Sequence, residues 1–119
     1  MSFKSNLINI VLVETSHPGN IGSVARAMKT MGLSSLSLVN PRKFPSGEAN
    51  ALSGNAGDVL ENAQIFNSIE DAIKDSTFVY ATSSRSRTIQ WPTVHAEEGA
   101  LLINDQVTSD KKVSILFGR

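Results

Sequence analysis

The chain has 119 residues, with 11 basic and 11 acidic side chains and so no formal net charge, and 40% of its residues are hydrophobic. This suits one soluble globular domain, leaves little room for a second, and contains no apolar run near the roughly 20 residues that cross a bilayer. The absence of cysteine excludes disulfides and thiolate metal sites, and neutrality weighs against strong nucleic-acid binding by this segment alone, because phosphate contacts dominate such affinity.

Leu7 to Val13 (LINIVLV) is an apolar run rich in β-branched residues and interrupted only by Asn9. It predicts a strand buried on both faces, as in a parallel sheet. The start of the chain has no signal-peptide cleavage pattern, so a cytoplasmic location is expected. Glu14 to Asn20 is rich in turn residues. Ile21, Val24, Ala25, Met28 and Met31 then recur at helical spacing, with Asn20 expected as N-cap and Gly32 as the C-terminal stop. Leu36 to Val39 reads as a second strand, completing a βαβ unit. A loop over residues 40–47 follows, then helical character at 58–63 and a short extended piece at Ile65-Phe66. Ser68, three residues before Asp71, predicts a capped short helix through Ile73. Phe78 to Ala81 is a strand, residues 82–92 a polar loop, Glu97 to Val107 helical over part of its length, and Val113 to Phe117 a last strand before Gly118-Arg119. The alternation argues for an α/β fold with a mainly parallel sheet flanked by helices. Residues 1–119 are expected to be one domain. The chain stops two residues after an apolar strand, without a covering helix, and so reads as C-terminally truncated.

In such sheets ligands lie beyond the carboxyl ends of the strands, which directs attention to four places. The turn after the first strand carries Asn20, Gly22 and Arg26; a helix start there offers free N–H groups to an anion. Arg26 lies one turn beyond Gly22 on the same face, where a guanidinium can clamp a phosphate. Spacing alone favours a solvated arginine on an amphipathic helix. The pattern is neither a dinucleotide fingerprint nor a nucleotide-triphosphate loop. Thr82, Ser83 and Ser84, with Arg85 and Arg87 close behind, follow a strand end: hydroxyls suit a ribose or carboxylate and arginines suit phosphate, although a polar connecting loop looks the same. Trp91 is either a stacking platform or a loop anchor. Gly118 ends the last strand at the ligand edge. Glu14 is a candidate carboxylate at the first strand's end. His17 and His95 have no ligand partners at metal spacing, so no metal is expected.

Together, Leu12–Leu33 (LVETSHPGNIGSVARAMKTMGL), Leu38–Pro41 (LVNP), Ala81–Arg87 (ATSSRSR) with the following Trp-Pro, and the terminal ILFGR resemble the TrmJ-type tRNA ribose 2′-O-methyltransferases of the SPOUT superfamily. The resemblance runs the length of the chain and implies a Rossmann-like sheet whose C-terminal part threads a trefoil knot, an exception to the rule against knots. It implies a homodimer that uses S-adenosylmethionine as methyl donor and acts on cytidine or uridine at position 32 of a tRNA anticodon loop. By the same resemblance Arg26 is the catalytic residue. Asn20 and Gly22 share its motif near the target ribose, and Arg85 and Arg87 meet the RNA. Thr82, Ser83, Ser84 and Gly118 contact the donor. The family continues past Gly-Arg with the knot-closing segment, so the 119 residues by themselves are expected to be inactive. A non-enzymatic α/β module that holds RNA is the alternative, favoured by the neutral charge.

Overall fold

The first apolar run becomes the centre of the sheet. After a 3-10 turn at Ser5–Leu7, strand β1 (Ile8–Val13) is buried along its whole length, as a strand covered on both faces must be. The computed structural model describes residues 5–15, 18–42, 53–82 and 96–118. Within them follow α1 (Pro18–Thr30), β2 (Ser35–Val39), α2 (Gly57–Glu61), β3 (Gln64–Phe66), α3 (Ile69–Ile73), β4 (Phe78–Ala81), α4 (Ala96–Thr108) and β5 (Val113–Gly118). The strands lie in the order β3-β2-β1-β5-β4, and each of these neighbouring pairs is parallel. The expected α/β class with helix-flanked parallel sheet is borne out.

The order of strands dictates where the helices sit. Right-handed crossovers put helices on one face when the chain steps one way across a sheet and on the other when it steps back. The steps β1 to β2 to β3 and β4 to β5 run in one direction, and β3 to β4 runs in the other. Accordingly, α1, α2 and α4 cover one face: Ile21, Ala25, Met28, Val59, Leu60 and Val107 pack against Ile8, Ile10, Leu12, Leu36, Leu38 and Val113. Among the described residues, helix α3 covers the other, where Ala72 joins Val11, Val13 and Val39.

Asn9, the one polar residue of β1, explains how that second face is held together. It is buried, and its amide spends both donors and accepts twice. Its Nδ2 donates to the Ala72 carbonyl in α3 at 3.3 Å and to Ser114 Oγ in β5 at 3.2 Å. Its Oδ1 accepts from Ser35 and Ser37 of β2 at 3.1 and 2.8 Å. Ser76 closes the network on Ser114 at 2.5 Å.

Helix boundaries follow local chemistry. Gly32 adopts φ +76, and the Leu33 and Gly32 N–H groups donate to the Met28 and Lys29 carbonyls at 2.8 and 3.2 Å. This is the Schellman arrangement that glycine permits. Ser68 accepts from the Asp71 N–H at 3.1 Å, capping α3 as expected. The start of α1 differs from expectation. The helix begins at Pro18, where a ring without an N–H costs no helical hydrogen bond, so Asn20 stands inside the first turn and is not the N-cap.

Candidate functional site

At the carboxyl ends of the strands the backbone turns sharply at three places. Glu14 after β1, Asn40 after β2 and Gly118 at the end of β5 have φ values of 52, 47 and 125, a region that non-glycine residues seldom adopt. Hydrogen bonds continue past the sheet to fix these turns. Glu14 N–H donates to the Val39 carbonyl at 2.8 Å, and Asn40 N–H to the Phe66 carbonyl at 3.0 Å. Asn40 Nδ2 donates to the Asn67 carbonyl at 3.1 Å. On the other flank the Thr82 N–H and hydroxyl both donate to the Leu116 carbonyl, each at 3.0 Å. Thr82 is thereby held two residues from Gly118.

Gly118 pairs with Val13 across the β1–β5 seam, where the strand order breaks from 3-2-1 to 5-4. A side chain at Gly118 would collide with the Val13 carbonyl. The edge is therefore tightest at the break in strand order, the position at which open α/β sheets bind ligands.

Helix α1 rises from the β1 side of this edge. Gly22 is buried beneath it, while Asn20 and Arg26 are exposed. The Arg26 side chain runs past Gly54: a Cβ added there would lie 3.7 Å from Cδ and 3.8 Å from Nε. No ion pair to Arg26 occurs among the described residues. One turn further, Lys29 Nζ lies 2.8 Å from Asp58 Oδ2 and ties α1 to α2. The hydrogen bond from Lys29 holds the Asp58 carboxyl below the ordinary carboxylate range, though exposed pairs of this kind contribute little to stability.

The carboxyl edge thus brings backbone turns and the exposed Asn20 and Arg26 of α1 to one end of the sheet, and known proteins are similar to the chain in sequence and fold. The SpoU rRNA Methylase family model matches residues 7–119. The chain belongs to this family. It is 50% identical over 113 residues to the tRNA (cytidine/uridine-2′-O-)-methyltransferase TrmJ of Citrobacter koseri, covering 94% of this chain and 46% of that protein. It is 45% identical over 112 residues to the tRNA (cytidine/uridine/adenosine-2′-O-)-methyltransferase TrmJ of Pseudomonas aeruginosa, covering 94% of this chain and 44% of that protein. Its fold matches the crystal structure of TrmJ from Z. mobilis ZM4 with a TM-score of 0.86 at 38% identity, covering 92% of this chain and 48% of the other. The chain thus spans less than half the length of these relatives.

Within this SpoU-family chain, the residues expected from sequence fall into two groups. Asn20, Gly22 and Arg26 share α1, and Thr82 and Gly118 share the β4–β5 edge. No contact among the described residues joins Arg26 to Thr82 or Gly118. Ser83, Ser84, Arg85 and Arg87, with Trp91 and both histidines, lie outside the described residues. Among the described residues, no cluster of acidic, histidine or cysteine side chains suits a metal, and no helix is long and apolar enough to cross a membrane. Sequence reasoning missed Asn40 and Gly54, for which the only signals are the Val-Asn-Pro and Ser-Gly-Asn turn patterns. A cleft of about 530 Å³ opens at the opposite, amino-terminal end of the sheet, lined in part by Asn9, Ser35, Ser37, Lys74 and Lys112. Among the described residues, the polar side chains at its floor, Asn9, Ser35 and Ser37, are hydrogen-bonded to one another.

Proposed function

We propose that this chain is part of the catalytic domain of an S-adenosylmethionine-dependent tRNA 2′-O-ribose methyltransferase acting on cytidine or uridine at position 32 of the anticodon loop. The observation that carries the proposal is the identity to TrmJ, which extends over 94% of the chain. Position 32 and the homodimer rest on the resemblance to that family, and a cytoplasmic location on the absence of a signal-peptide pattern at the start of the sequence.

S-adenosylmethionine, when bound, supplies a methyl group made electrophilic by its sulfonium. Thr82, Ser83, Ser84 and Gly118 are the residues proposed to hold it. Two of them stand side by side at the β4–β5 edge, and Gly118 allows the backbone itself to line the pocket. The 2′-hydroxyl must lose a proton as the methyl arrives. Arg26 keeps its charge at any accessible pH, so it serves by stabilising the developing alkoxide or the adjacent phosphate and does not take up the proton. Asn20 and Gly22, at the start of α1, bring polar groups to the same ribose. Arg85 and Arg87 meet phosphates, which position RNA without reading its sequence.

The test is transfer of a labelled methyl group by the full-length protein to tRNA transcripts carrying cytidine or uridine at position 32. Methylation confined to that 2′-oxygen, falling about a hundredfold in Arg26→Ala, is expected, as when one stabiliser of a developing oxyanion is removed. tRNA binding with no methyl transfer would overturn the proposal in favour of a non-enzymatic RNA-holding module.

A further inference from the structure

We propose that Gly54 is a positioning residue for Arg26: the turn at Gly54 walls one side of the path of the guanidinium arm, with room between them for a single Cβ; this rests on the reading of Arg26 given above. Gly54 adopts φ +61, and among the described residues a Cβ built there would come within 4 Å of Arg26 Cδ and Nε, at 3.7 and 3.8 Å. The arm therefore passes at van der Waals distance from the first atom of any side chain at position 54. A longer side chain whose rotamer follows the arm would meet it.

The wall is held in place. Ser53 and Ala56 on either side of the turn are 1% and 0% exposed, and the Ala56 N–H donates to the Ser53 carbonyl at 3.0 Å. The Lys29–Asp58 pair at 2.8 Å fastens α2, just beyond the turn, to the helix that bears Arg26. An exposed arginine samples many rotamers. A fixed wall removes some of them before the RNA arrives, which is how supporting residues contribute to catalysis without touching substrate.

The test uses the full-length protein. Gly54→Asn and Gly54→Asp both tolerate left-handed backbone and place a polar group where the arm runs, whereas Gly54→Ala adds only the atom that fits. The two polar variants are expected to lower kcat for tRNA methylation about tenfold or more, as misplacement of a catalytic group does. KM for the methyl donor and Tm should stay near wild type, and Gly54→Ala should stay near wild type in kcat. In an Arg26→Lys background the polar substitutions should cause little further loss, because they act through the same side chain. An unchanged kcat in both polar variants, or a loss that multiplies with that of Arg26→Lys, overturns the proposal. Should Arg26→Lys itself retain wild-type kcat, the reading of Arg26 fails, and the wall is then judged by the NMR order of the Arg26 Nε–Hε group. Order present in wild type and lost in Gly54→Asn upholds the wall, and order unchanged refutes it.

Discussion

Replacing Asn9 by leucine tests whether the polar network on the α3 face holds the sheet together. Leucine preserves the outline of the side chain and removes all four hydrogen bonds that the amide makes. The partners do not suffer equally. Ser114 keeps its 2.5 Å contact with Ser76, and Ser35 is only part-buried and reaches water. The Ser37 hydroxyl and the Ala72 carbonyl lose the buried partner each has here. Two such orphans cost ~1–3 kcal/mol each. Burial of the leucine side chain returns ~1.5–3 kcal/mol, leaving a net loss of ~2 kcal/mol. With urea m-values of ~1–3 kcal/mol/M for small proteins, that loss moves the unfolding midpoint down by about 1 M. The measurement is urea unfolding followed by far-UV circular dichroism at fixed protein concentration. Adding Ser37→Ala to Asn9→Leu removes one orphan and should recover part of the loss. A midpoint that is unchanged or raised in Asn9→Leu, or that drops again in the double variant, refutes the reasoning.

Gly118→Ala drives a methyl group into the Val13 carbonyl, so both stability and methyl-donor affinity should fall, the latter read by isothermal titration calorimetry; wild-type affinity would remove Gly118 from the pocket. Gly32→Ala meets open space at φ +76, so only backbone strain of ~1–2 kcal/mol is expected, seen as a lower Tm with kcat unchanged. For Asp58 the folded-state pKa lies below the ordinary 3.8. The pair's contribution is therefore present above the ordinary value and lost as pH falls through the lowered one. The difference in urea midpoint between wild type and Asp58→Asn should be small near neutrality, shrink with added salt, and vanish at strongly acidic pH.

Much of the fold is legible in the sequence because its signals are local. Periodicity marks α1, Gly32 marks its end, Ser68 caps α3, and the run at residues 8–13 is apolar enough to specify a doubly covered strand. The start of α1 is misjudged because proline and asparagine both favour helix N-termini: Pro18 wins the first helical position and pushes Asn20 into the turn. Asn9 reads as a blemish in an apolar run. Its partners Ser35, Ser37, Ala72 and Ser114 are up to 105 residues away, and no local pattern announces a network that parallel pairing assembles. The site divides the same way. Asn20, Gly22, Arg26, Thr82 and Gly118 can be proposed from the sequence because the segments that carry them lie at or just beyond strand ends. Gly54 is not, since its relation to Arg26 depends on how α1 and α2 pack.

The three backbone reversals at the strand ends are formed differently, and the difference bears on function. Glu14 and Asn40 tolerate positive φ because hydrogen bonds to the neighbouring strand, Glu14 to Val39 and Asn40 to Phe66, determine their backbone from outside. Strain of about 1–3 kcal/mol persists only where such surroundings impose it. Gly118 needs no such compensation for its φ, but it cannot be exchanged, because the obstacle is the Val13 carbonyl of the adjacent strand. The β2–β1 half of the edge is therefore held by hydrogen bonds that can break and re-form. The β1–β5 seam is held by its parallel ladder and, at its end, by the close approach of the Gly118 and Val13 backbones. The methyl-donor pocket proposed at this edge would gain from the second kind of wall, since a contact of backbone on backbone at Gly118 has no rotamers through which to loosen.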